Sequence, residues 1–201
     1  MIVAPGSYRC GTRLLVIVMV VLLGAPACGG SGEDAAPAPS ATGGGPPPNR
    51  PTGAVYAAVI RQLVLIDHGF GGAPSPYQAV YVLNGALGGA GDPDRLADRV
   101  PPRRFSSDLK HDVAGRLSDL PSVEFVDRRQ TVIAGGQPGH VIHRGVFITL
   151  APIRWVGEHE AWVANSRWAS GLNGQWLTYR VILHGSRWTI TGVVGGRVAI
   201  S

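Results

Sequence analysis

Cysteine is nearly absent from this chain. There are two, Cys10 and Cys28. Beyond residue 28 no intramolecular disulfide can form, so a fold there must rest on its apolar core. Lysine is scarcer still: Lys110 stands alone among 18 basic residues. No acidic residue precedes Glu33. No apolar run reaches the roughly 20 residues a spanning helix needs. There is no G-x-S-x-G, no phosphate-binding P-loop and no dinucleotide fingerprint, which removes three common catalytic frameworks. No basic stripe of the kind nucleic acid demands is present either.

What the N-terminus does have is a pattern. Arg9 and Arg13 precede "LLVIVMVVLLG", Leu14–Gly24, and then Ala25-Pro26-Ala27. A basic start, a short apolar run and a small-residue site make a secretory signal peptide over residues 1–27. The n-region has no adjacent Arg-Arg pair, which favours the general secretory route. Ala25-Pro26-Ala27 fits an ordinary signal-peptidase site. The same residues followed by Cys28 resemble a bacterial lipoprotein box. That resemblance implies lipid on Cys28, with a departure at Ala25 where the family prefers Leu. Cys28 would otherwise be a free thiol in an oxidising compartment.

Residues 28–52 then carry almost no large apolar side chain. Such a segment cannot repay the entropy of folding, and it is expected to be a disordered tether. About 24 flexible residues reach roughly 25–30 Å. With Arg9 and Arg13 removed, 16 basic residues face 13 acidic ones, a weak net charge of +3. The pairs Arg103-Arg104 and Arg128-Arg129 can touch anionic headgroups or wall polymers, or be solvated turn charges.

Residues 53–201 suffice for one domain. Thr52 can cap a helix over about 54–67, with Val55, Val59 and Leu63 on one face. "QAVYVL" reads as a strand. Ser107 opens a second helix whose stripe is Leu109, Val113, Leu117 and Leu120, stopped by Pro121. "VEFVD" is a strand, and from Gly145 onward strands dominate. In Gln175–His184 the odd residues Leu177, Tyr179, Val181 and Leu183 are apolar and point inward. A type II′ turn at Gly185-Ser186 sets Leu183 opposite Trp188 and Val181 opposite Ile190. A hairpin at Asn173-Gly174 puts Trp162 and Trp168 on the same side as Tyr179 and Trp188, with Asn165 and Arg167 outside.

The expected fold is α+β: an antiparallel meander sheet packed on one or two helices. That element order resembles the cone-shaped NTF2-like and cystatin-like folds. The ending "YRVILHGSRWTITGVVGGRVAIS" is similar to lipoproteins of high-GC Gram-positive (actinobacterial) type, which implies a cell-surface setting. NTF2-like enzymes place an Asp, His or Tyr inside the cone. Here the expected inner face, with Trp162, Trp168, Tyr179 and Trp188 as pocket or core, offers only Tyr179. Asp67-His68, at the end of the first helix, can reach a cone mouth, although a histidine there also suits the helix dipole. His140 and His143 with Glu158, His159 and Glu160 invite zinc, but strand positions three apart point oppositely. In "GDPDRLAD", Asp92, Asp94 and Asp98 fail as a calcium loop, because Leu96 and Arg103 occupy ligand positions. No metal or cofactor is therefore expected. The expected function is a non-catalytic binding domain, lipid-anchored through Cys28 at the outer face of the cytoplasmic membrane. Its partner is a protein, a wall polymer or a small apolar ligand. The alternative is an NTF2-like enzyme or a carrier of small apolar ligands.

Overall fold

A computed structural model describes residues 50–71, 74–93, 101–136, 139–195 and 199–200. The expected signal peptide, Cys28 and the expected tether up to residue 49 lie outside the described residues, as do Asp94, Leu96 and Asp98.

Helix α1 spans Thr52–Leu65 and buries Val55, Tyr56, Val59, Ile60, Leu63 and Val64 along one broad face. Thr52 is its first residue rather than its cap. Pro51 holds the cap position without a side-chain bond, which its fixed φ and missing N–H allow. Helix α2, Ser107–Arg116, starts at Ser107 as expected and is capped by Ser106, whose side chain accepts from the Leu109 amide at 3.2 Å. It ends before the expected Leu120. A Cβ on Gly53 would overlap the Asp112 carboxylate, so α1 meets α2 where α1 has no side chain.

The sheet is mixed rather than a purely antiparallel meander. Strand β1 (Ala79–Ala86) lies between β2 (Ser122–Val126) and β5 (Gly145–Leu150) and runs parallel to both. Its residues are buried on both faces, as a central parallel strand requires. Helix α2 makes the crossover from β1 to β2 on the α1 side. The crossover from β2 to β5 passes through a turn at Arg129–Val132, the short strands β3 (Ile133–Ala134) and β4 (His140–Val141), and a turn at Ile142–Arg144. Val132 and Val141 from this crossover pack against Tyr81 and Phe147 on the face opposite the helices.

The second half is antiparallel. Strand β7 (Glu160–Ser170) pairs with β5, with β8 (Asn173–His184) and with the short β6 (Arg154–Trp155). Strand β8 also pairs with β9 (Arg187–Val193) and with β10 (Ala199–Ile200). The β8–β9 register is the expected one: Leu183 faces Trp188 and Val181 faces Ile190. Gly185 has φ +61° and Ser186 does not share that sign, which suits a type II′ turn.

The β7–β8 hairpin departs from expectation. Its turn is Gly171-Leu172, with Ser170 paired to Asn173. That turn alone would leave even β7 residues opposite odd β8 residues. A bulge at Ala169 then shifts the pairing, so that Trp168 faces Gly174, Val163 faces Tyr179 and Trp162 faces Arg180. One extra residue turns every later side chain to the other face. Ala161, Val163, Asn165 and Arg167 therefore point toward α1. Trp162, Ala164, Ser166 and Trp168 point away from it.

The four aromatic residues thus do not share a face. Tyr179 and Trp188 belong to the core under α1, with Val80, Val82, Ile148, Val163 and Leu177. Trp162 and Trp168 sit half-buried on the helix-free face, and neither packs on the Val113 and Leu117 stripe of α2.

Candidate functional site

Two constellations stand on opposite sides of the sheet. Under α1, the inward turn of β7 buries a cation. Arg167 is 2 % exposed. Its Nε donates to the carbonyl of Asp67 at 2.5 Å and to Gln175 Oε1 at 3.0 Å. Its Nη1 donates to the Tyr77 hydroxyl at 3.3 Å and to Asn173 Oδ1. Every one of these acceptors is neutral. Asp67 presents its carboxylate elsewhere: Oδ2 accepts from the Tyr179 hydroxyl at 2.5 Å and from Gln62 Nε2 at 3.1 Å. Tyr77 closes the ring by donating to the His68 carbonyl at 3.0 Å.

The consequences for chemistry are direct. Burial, then the hydrogen bond to Asp67 and its charge, push the Tyr179 phenol well above its ordinary range. Tyr179 therefore remains a protonated donor and does not supply a base. Tyr77 is pushed the same way, by burial first. His68 is buried, and its Nδ1 accepts from the Phe70 amide at 3.2 Å. Asp67 and Tyr179 are thus bonded to each other, while the His68 ring turns its Nδ1 to the Phe70 amide. Gly69 has φ +82°, and a Cβ there would meet the Arg167 guanidinium. The loop after α1 is shaped to lie against that cation. Sequence reasoning put Arg167 outside. Its signal was a run of polar residues at odd positions, Asn165, Arg167, Asn173 and Gln175, around the hairpin tip.

The helix-free face carries the second constellation. Pro152, Arg154, Trp162, Ala164, Thr178, Val194 and Gly195 line an open groove of about 320 Å³. Arg154 lies over the Trp162 ring, 4.8 Å from its centroid. The Trp162 indole donates to Glu160 Oε1 at 2.7 Å, and Arg180 grips both oxygens of Glu160 at 2.8 Å. The hydrogen bond from Arg180, then that from Trp162, hold the Glu160 carboxyl down at about 2. Glu160 is therefore a fixed anion that orients the indole. Further along, Trp176 faces Ser166 across the strands, and its buried Nε1 has no partner among the described residues. Arg129 lies 4.2 Å from the centroid of Trp168.

The histidines weighed as zinc ligands are placed differently. His140 is exposed on β4, while His143 sits in a turn at φ 53° with its Nδ1 2.8 Å from the Tyr81 hydroxyl. Among the described residues no three His, Cys, Asp or Glu side chains gather in a metal-binding group. No described helix is long and apolar enough to cross a membrane. Among known proteins, no family model, no curated sequence and no solved structure matches this chain.

Proposed function

We propose that the chain is an exported lipoprotein, held by lipid on Cys28 at the outer face of the cytoplasmic membrane, whose domain binds a ligand without transforming it. The observation that carries the binding reading is the Trp162 groove on the helix-free face. Its walls are apolar and aromatic with few polar groups, the usual make-up of a small-molecule site. The groups that could serve acid–base chemistry, Asp67 and Tyr179, are bonded to each other under the helix. Arg154 beside Trp162 suits an apolar ligand with an anionic end. The same groove serves the carrier reading better than an enzyme. An NTF2-like or cystatin-like cone is supported by α1 lying against β8 and β9, while the parallel β2–β1–β5 unit departs from it.

The groove is tested with anilinonaphthalene sulfonate, an apolar anion whose fluorescence rises in such sites. The chain should enhance its emission, with energy transfer from tryptophan. Trp162→Ala should weaken binding at least about tenfold, the scale of one lost aromatic contact. Equal binding by the variant would remove the groove as the site.

The anchor is tested separately. In cells, wild-type protein should partition into the detergent phase and resist a high-salt wash. Cys28→Ala should move to the aqueous phase or remain unprocessed. A normally processed Cys28→Ala protein that still enters detergent would exclude lipidation.

A further inference from the structure

The segment between Asp127 and Glu158 contains no acidic residue at all. Its first part, up to Arg144, is the crossover that covers part of the helix-free face. It presents Arg128, Arg129, His140, His143 and Arg144, all exposed. The crossover spreads them along this face, from Arg128 beyond the C-terminal end of β2 to His140, His143 and Arg144 at the start of β5, the other end of the parallel strands. His140 pairs with Ser170 at the end of β7. Arg129 lies over Trp168, two residues away on the same strand. Arg144 follows His143 in a left-handed turn, φ 53° and 50°, at the start of β5. Arg128 and Arg144 have no carboxylate partner among the described residues. The acids nearby are Glu124, which faces Tyr81 across β1–β2, and Asp127, which is already bonded to Asn84 and Arg104.

The same face holds three of the five tryptophans, Trp162, Trp168 and Trp176, each half-buried. Two of them carry an arginine over the ring. Half-buried indoles beside arginines are the kind of side chain that settles at the headgroup level of a bilayer. A polymer of phosphates would need the arginines but not the indoles.

We infer that the helix-free face docks onto anionic phospholipid headgroups, with Arg128, Arg129 and Arg144 supplying charge and the tryptophans entering the interface. The inference rests on the membrane-tethered reading: a short tether keeps the domain within reach, and the basic face then decides which side turns to the lipid. Docking would bring the Trp162 groove to headgroup level, so its ligand would come from the lipid side.

The test uses the mature chain from residue 28 with Cys28→Ala, so that no lipid anchor contributes. It should bind phosphatidylglycerol–phosphatidylcholine vesicles, with a blue shift of tryptophan emission, and should bind phosphatidylcholine alone far more weakly. Each of Arg128→Gln and Arg144→Gln should cost about fivefold, and the pair about twentyfold or more. Binding should fall with added salt. Lys110→Gln, on α2 across the sheet, should change nothing. Equal binding to both vesicle types would overturn the inference. So would an effect of Lys110→Gln as large as that of the arginines, or capture by soluble polyphosphate with no affinity for vesicles. Failure here leaves the Cys28 result untouched, since detergent partition reads the anchor and not the face.

Discussion

Arg167→Ala should cost the fold about 3–5 kcal/mol, one of the two largest effects of a single substitution in this domain. The reason is the number of groups that depend on one guanidinium. The Asp67 carbonyl, Gln175, Tyr77 and Asn173 all accept from it. A buried acceptor left without a donor costs roughly 1–3 kcal/mol. Four are affected, two of them only half-buried, and relaxation of the exposed part of the loop offsets some of the sum. Arg167→Lys keeps the charge but loses the planar fork, and it should recover only part of the loss. Urea midpoints at constant slope would measure both. Proteolysis at the exposed Phe70 should accelerate in the alanine variant, because the loop after α1 is what the guanidinium holds. A cost within about 1 kcal/mol for Arg167→Ala would mean that water already serves these acceptors.

The α+β class, the positions of α1 and α2, and the register of β8–β9 were all legible in the chain. Each depends on a local signal: a 3.6-residue apolar stripe, or a Gly-Ser turn between alternating strands. The pairing of β1 with β2 and β5 was not. Both partners are distant in sequence, and a strand buried on both faces has no alternation to read. The site failed for a different reason. Parity arguments multiply along a hairpin, so one bulged residue, Ala169, reversed the assignment of Trp162, Trp168, Asn165 and Arg167 together. Nothing in "SRWASGLNGQ" distinguishes a bulge before the turn from a regular strand. The consequence reached function: an apparently acid-free aromatic interior became a core with a buried cation on one side and a half-buried aromatic face on the other.

That reversal makes the second large effect a comparison. Trp188→Ala should destabilise by about 3–5 kcal/mol, the usual cost of truncating a large aromatic core residue. Trp188 is buried, packs edge-on against Trp155 with ring centroids 5.6 Å apart, and lies in the core under α1. Trp162→Ala should cost no more than about 1 kcal/mol. Its ring is half-buried beside an open groove, and its partners Arg154 and Glu160 are solvated charges, whose contributions at the surface are small. Trp168→Ala should fall between the two, because Trp168 packs on the Tyr81 and Phe147 layer while Arg129 covers its outer face. Were the sheet faces assigned without the bulge, Trp162 and Trp188 would share a core and cost alike. The pair also separates stability from recognition. Trp162→Ala should remain folded, with an unfolding midpoint near wild type, yet lose anilinonaphthalene sulfonate. Trp188→Ala should lose stability first, and at temperatures where it is still folded it should keep the probe. A Trp162→Ala variant as unstable as Trp188→Ala would place that ring in the core, and the groove would then be a packing defect and not a site.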